Sequence, residues 1–146
     1  AVTGVQTCAL PISFSSSLGE VSEAFDTLPL DKAIAHTLGR YGMGSTDYGQ
    51  ALADFMALAG NDIDRRTTVI MLGDARNNYG DPRLDLLETV YRRAGRVYWL
   101  NPEARNRWGS GDSEMLRYLP WITQASECQN LKQLERFAAT LLRAAR

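Results

Sequence analysis

Histidine, lysine and cysteine are nearly missing from this chain of 146 residues. A single histidine, His36, leaves a histidine-based zinc centre or catalytic dyad almost nothing to draw on. Two cysteines, Cys8 and Cys128, are too few for a disulfide framework or a thiolate zinc cluster. No apolar run approaches the ~20 residues that a membrane helix requires. Net charge is missing too. The 16 basic and 17 acidic residues leave −1 at pH 7, without the basic excess of a dedicated nucleic-acid or membrane-surface binder. Only Lys32 and Lys132 of those 16 are lysine, and the rest are arginine. What is abundant is apolar: 45% of the residues are hydrophobic, enough for a buried core. The length suits one domain, since domains most often run ~100–150 residues.

The first residues stand apart. Ala1 to Ile12 carries no charge and no clear period. It lacks the basic start and longer apolar stretch of a signal peptide. The string resembles the translated read-through of a sequencing adapter. The expectation is a non-native or disordered leader over 1–12 and a partial domain over 13–146, its true N-terminal part missing.

The rest alternates helix and strand. Leu18-Gly19-Glu20 suits a hairpin turn between two short strands. Leu30 to Tyr41 follows Pro29 and aligns Ala33, Ile34, Thr37 and Leu38 on one helical face. Gly42, Gly44 and Ser45 break the chain. Asp47 with Gln50 fits a capping box, and Ala51, Leu52, Phe55, Met56 and Ala59 form a helical stripe closed by Gly60. Thr67 to Leu72 is short, apolar and β-branched, as in a buried parallel strand. After the polar loop Gly73 to Pro82, Asp81 suits a cap and Pro82 a first helical position. Leu86, Leu87, Val90, Tyr91 and Ala94 follow at helical spacing, stopped by Gly95. Arg96 to Leu100 predicts a second buried strand. Ser113 to Leu119 predicts a short helix and Trp121 to Cys128 a third short strand. Asn130 with Gln133 caps a last helix. This alternation predicts an α/β fold: a doubly wound, mostly parallel sheet with helices on both faces. Ligands bind such sheets at loops leaving the carboxyl ends of strands, so the residues after Leu72 and Leu100 come first.

Asp74 sits one residue past a strand, where a carboxylate is held rigidly. A hard cation such as Mg²⁺ takes oxygen ligands in octahedral array. One such Asp, with hydroxyls from other loops, would suit it. The simpler reading is that Asp74, Asn77 and Asn78 satisfy turn backbone groups, and the loop alone favours that reading. In Gly42-Met43-Gly44-Ser45-Thr46-Asp47, small residues allow close approach and Thr46 offers a hydroxyl at a helix start. By itself this segment is a glycine-rich turn with an ordinary cap. It is not a phosphate-binding loop, which needs a preceding strand and a Gly-Lys-Ser/Thr end. Arg76 suits a pair with Asp74 or Asp81. His36 reads as a surface position, Cys128 as a small core residue, and Trp99, Trp108 and Trp121 as packing. Trp108, in a glycine-rich loop, is the one best placed to touch a partner.

A Gly-Ser-Thr turn before an amphipathic helix, followed by a strand ending in Leu-Gly-Asp, resembles the second half of a von Willebrand factor A-type (VWA) domain. The strand ending Tyr-Trp-Leu-Asn-Pro and the segment Trp108 to Leu116 are similar to bacterial CoxE-like VWA proteins. The resemblance runs from Phe14 to Arg146. It implies a metal-ion-dependent adhesion site holding Mg²⁺ (or Mn²⁺). In that family an Asp-x-Ser-x-Ser motif follows the first strand, a Thr comes from a later loop and an Asp follows the fourth strand. Thr46 matches the Thr and Asp74 the last Asp. The Asp-x-Ser-x-Ser motif has no match, which implies that the central strand went with the N-terminal part. Two contributors hold Mg²⁺ poorly. Ala75 stands where the family usually has Gly.

The resemblance further implies a non-enzymatic interaction module in the cytoplasm. Its partner's acidic side chain would complete the metal site. It would act as adaptor of a MoxR-type AAA+ ATPase in metalloenzyme maturation, with carbon monoxide dehydrogenase as the example client. Ser45, Arg76, Asn77, Asn78, Asn101 and Trp108 are the expected partner-facing residues. One alternative is a metal-dependent hydrolase or phosphotransferase using Asp74, with Asp81 or Asp112 as the second carboxylate. Another is an inactive fragment with an exposed apolar sheet edge.

Overall fold

Two short strands open the described chain. β1 (Ile12–Phe14) and β2 (Leu18–Glu20) pair antiparallel, with Ile12 opposite Glu20 and Phe14 opposite Leu18. Leu18-Gly19-Glu20 is therefore the second strand of the hairpin and not its turn. The computed structural model describes residues 12–14, 18–20, 23, 27–29, 32, 36 and 46–144. They divide into two units, 1–45 and 46–146. In the first, Glu23, Thr27, Lys32 and His36 are helical, and His36 is exposed. The rest of the helix predicted over Leu30–Tyr41 lies outside the described residues.

The second unit is a parallel sheet with helices on both faces. Its strands are β3 (Thr68–Leu72), β4 (Arg96–Asn101) and β5 (Gln124–Glu127), in the spatial order β3-β4-β5. Thr68 pairs with Arg96, Leu72 with Leu100, and Asn101 with Glu127. β4 is the central strand, and every residue from Val97 to Asn101 is buried. A strand buried on both faces needs apolar side chains throughout, as its Val-Tyr-Trp-Leu run supplies. β3 differs from its sequence reading. It ends the described sheet, so Thr68, Ile70 and Leu72 are exposed while Val69 and Met71 are half-buried.

Helix α1 (Tyr48–Ala59) starts as predicted: the Asp47 carboxylate accepts the Gln50 N–H at 2.9 Å. Gln50 does not reach back, because its side-chain amide donates to Asp54. Tyr48, Ala51, Leu52 and Ala59 are buried on its inner face. Helix α2 (Leu84–Arg93) begins two residues later than its cap signals suggest. Asp81 forms a local turn, accepting the Arg83 N–H at 2.9 Å. Arg83 takes the cap position at φ 49°, and Pro82 is buried with its carbonyl bound by the Tyr118 hydroxyl at 2.8 Å. A one-turn helix, α3 (Met115–Tyr118), precedes β5. Helix α4 (Leu131–Ala144) carries the predicted cap: Asn130 accepts the Gln133 N–H at 3.0 Å, and Gln133 accepts the Gln129 N–H at 2.6 Å.

Side chains of β4 alternate between two layers. Tyr98 and Leu100 face α4, meeting Phe137, Leu141 and Cys128, with the Tyr98 and Phe137 rings edge-on at 5.3 Å. Trp99 faces the other way, against Tyr48 of α1 at 5.6 Å and stacked on Tyr118 of α3 at 5.2 Å. Among the described residues no helix is long and apolar enough to cross a membrane.

Phe137 anchors α4 to the sheet and is 8% exposed. Phe137→Ala should cost about 3 kcal/mol in urea unfolding. A loss below about 1 kcal/mol would show that α4 is not seated there.

Candidate functional site

The carboxyl end of β3 runs directly into a turn that every neighbouring element holds. The Gly73 N–H donates to Leu100 at 3.0 Å, which carries the ladder one residue past the strand. The Trp99 indole N–H donates to the Gly73 carbonyl at 2.8 Å. The Asn101 side-chain amide donates to the Asp74 carbonyl at 3.4 Å. The Tyr48 hydroxyl completes the hold from α1: it accepts the Ala75 N–H at 3.1 Å and donates to Asp74 Oδ1 at 3.3 Å. Burial pushes the Tyr48 hydroxyl pKa well up, so it remains a neutral donor. This arrangement requires glycine at 73, because a Cβ there would lie 2.0 Å from the Tyr48 hydroxyl oxygen.

Asp74 is thereby oriented. Its Oδ1 accepts both the Tyr48 hydroxyl and the Arg76 N–H at 2.9 Å. Oδ2 has no partner among the described residues. Ala75 is fully buried with φ 61°, a left-handed conformation that glycine adopts at lower cost. Asn78 and Tyr79 are also left-handed, at φ 50° and 60°.

Arg76 locks this turn to two later loops. Its guanidinium forms a two-pronged pair with Glu103, both contacts at 2.9 Å, and binds Asp112 Oδ1 at 2.9 Å and the Ser110 carbonyl at 3.0 Å. It pairs with neither Asp74 nor Asp81, the partners its sequence position suggested. Asp112 Oδ2 accepts the Asn78 N–H at 3.0 Å. The Arg76 guanidinium, first among the causes, holds the Asp112 carboxyl below its ordinary pKa.

The predicted site residues divide by location. Thr46 is half-buried just ahead of α1, and Asp74 is half-buried at the β3 end. Ser45 lies outside the described residues. Asn78 is exposed. Asn77 and Asn101 are 2% and 0% exposed and brace the turn from inside, which withdraws them from a contact surface. Asn77 accepts the Tyr48 N–H at 2.6 Å and donates to Gly80 at 2.9 Å, and Asn101 also accepts the Glu103 N–H at 2.8 Å. Trp108 is 5% exposed, its indole donating to the Glu103 carbonyl at 3.1 Å under the Arg105 guanidinium. Packing, not partner contact, accounts for it. Sequence reasoning passed over Tyr48. It sits three and four residues ahead of Ala51 and Leu52, so the helical stripe extended one turn would have reached it. It also passed over Tyr79, 80% exposed beside Asn78.

A hard cation needs more oxygen ligands than Thr46 and Asp74 provide. Among the described residues no group of three or more His, Cys, Asp or Glu side chains could hold a metal. The proposed second carboxylates are engaged elsewhere: Asp112 with Arg76, and Asp81 with the Arg83 N–H. Thr46 and Asp74 by themselves do not make a cation site among the described residues.

Two predictions follow from this hold. Gly73→Ala should cost about 2–3 kcal/mol in urea unfolding by forcing the Tyr48 ring away, and Tyr48→Phe about 1 kcal/mol by leaving the Ala75 N–H unpaired. Equal stability of both variants with the parent would refute the contact. Because the Asp112 pKa is depressed on folding, its contribution is present above the unfolded carboxylate pKa, ~3.9. It is lost as pH falls through the lower folded value. Thermal melts from pH 5 downward should therefore decline less steeply for Asp112→Asn than for the parent, and parallel curves would contradict the clamp.

A protein-family model for "VWA domain containing CoxE-like protein" matches residues 7–137. No curated protein and no solved structure matches the chain. The match covers most of the chain, and the parallel sheet flanked by helices, with Asp74 at a strand end, is the fold that the family implies. The chain belongs to the family of VWA domain containing CoxE-like proteins, whose domain supports a role in protein interaction.

Proposed function

We propose that the strand-end face of residues 46–146 is a non-enzymatic docking site for a protein partner. In this reading the partner is a MoxR-type AAA+ ATPase and the task is metalloenzyme maturation in the cytoplasm. Family membership supports the interaction role. The observation that carries the choice of face is the oriented carboxylate of Asp74, with Oδ1 tied to Tyr48 and Arg76 and Oδ2 unpaired among the described residues. Thr46 and Asp74 lend oxygens to Mg²⁺ (or Mn²⁺), and the remaining donors come from outside the described residues. Asn78 and Tyr79 stand exposed beside Asp74 and suit the rim of a contact.

Calorimetry with Mg²⁺ and Mn²⁺ tests this reading on the chain and on a version carrying an added strand with Asp-x-Ser-x-Ser. Binding is expected in the second version and weak or absent in the first, and Asp74→Ala should reduce it at least tenfold. A MoxR-type ATPase titrated against the second version should bind with Mg²⁺ and release with EDTA. Cation binding unchanged by Asp74→Ala, or a complex indifferent to EDTA, would overturn the proposal.

A further inference from the structure

A cleft of ≈390 Å³ opens at the amino end of the parallel sheet, opposite the end that carries Asp74. It lies below the start of β4, which has a strand on either side, so the chain itself walls it. Arg65 leads into β3, Tyr91 and Arg92 close α2, Gly95 precedes β4, and Thr123 leads into β5. No carboxylate lines it. The Arg65 guanidinium and the Tyr91 hydroxyl have no hydrogen-bond partner among the described residues. Arg92 spends Nε and Nη2 on Glu88, both at 2.8 Å, which leaves Nη1 for a ligand. Its guanidinium lies 5.5 Å from the centre of the Trp121 ring, and Tyr91 meets that ring edge-on at 6.0 Å. The Thr123 hydroxyl accepts the Val97 N–H at 2.9 Å and retains its own proton to donate. Arg65, Arg66, Arg92, Arg93 and Arg96 crowd this end against Asp62, Asp64 and Glu88, a local positive excess in a chain of net charge −1.

We propose that this cleft binds an acidic segment of a partner protein, its side-chain carboxylates held by Arg65 and Arg92. A guanidinium takes a carboxylate through parallel N–H bonds, and Arg, Tyr and Trp are the residue types that anchor protein interfaces. A phosphate group fits less well. The backbone amides that would cradle it are spent, since the Gly95 and Arg96 N–H groups both donate to the Thr67 carbonyl, at 2.9 and 3.4 Å. The cleft also adjoins the carboxyl end of α2, whose dipole opposes an anion in proportion to its charge, and so a phosphate more than a carboxylate. A nucleic-acid backbone fits no better, because Asp62, Asp64 and Glu88 interrupt the basic run. This cleft and the Asp74 turn occupy opposite ends of the strands, and carboxylate binding here needs no cation, so either reading can fail without the other.

Titration of the full chain with a hexaglutamate peptide in EDTA, followed by NMR of the tryptophan indole N–H signals, tests this on the unmodified protein. The Trp121 signal should shift, while those of the buried Trp99 and Trp108 hold still. Added salt should weaken the binding. Arg65→Glu, at an exposed position, should weaken it at least tenfold, and so should Arg92→Glu. Arg143→Glu, the same charge reversal made on α4, should leave it unchanged. Absence of binding, a shift at Trp99 or Trp108 in place of Trp121, or equal losses from Arg65→Glu and Arg143→Glu would each overturn the proposal. So would tighter binding of inorganic phosphate, or of a single-stranded oligonucleotide, than of hexaglutamate.

Discussion

A hydroxyl passing over a residue with no side chain governs the strand-end turn. Gly73 leaves room for Tyr48, whose oxygen reaches the Ala75 amide and the Asp74 carboxylate together. Burial makes that oxygen a dependable neutral group, since a phenolate would lose its hydration without a compensating cation. The stack of Tyr48, Trp99 and Tyr118 beneath the turn supplies both the apolar mass and the polar tips. Trp99 donates to Gly73 and Tyr118 to Pro82, so the aromatic core also fixes the loop above it.

The outer layer of the turn is electrostatic. Arg76 gathers Glu103, Asp112 and the Ser110 carbonyl from loops that follow β4, and so holds three segments in one arrangement. A guanidinium presents its donors in a fixed planar fork, which a lysine could not copy. The consequence for function is a small exposed face. Asn77, Asn101 and Trp108 are buried, Asp74 is half-buried, and Asn78 and Tyr79 are exposed.

Membership in a VWA family is consistent with this division of labour. A rigid scaffold of parallel strands and buried aromatics presents a short set of oriented groups at its carboxyl ends.

Local chemistry by itself determined a good deal. The caps at Asp47 and Asn130, the β-branched and aromatic runs of β3 and β4, and the amphipathic stripes of α1 and α4 are short-range signals, and each was legible. The prominence of Asp74 followed from its place just past a strand, two residues beyond Leu72. Tertiary structure decided the rest. Whether β3 is central or terminal depends on its neighbours and not on its own apolar run. Asp81 and Pro82 read as a helix start but were claimed by a turn and by the Tyr118 hydroxyl. Arg76 chose Glu103 and Asp112, 27 and 36 residues away, over nearer carboxylates. The loop's own reading, that Asn77 serves turn backbone groups, matches its bonds to the Tyr48 N–H and the Gly80 carbonyl, whereas the family resemblance had set Asn77 and Asn101 facing a partner and both are buried. Sequence spacing fixes which residues share a face, whereas the partner of a buried polar group depends on which distant segment folds against it.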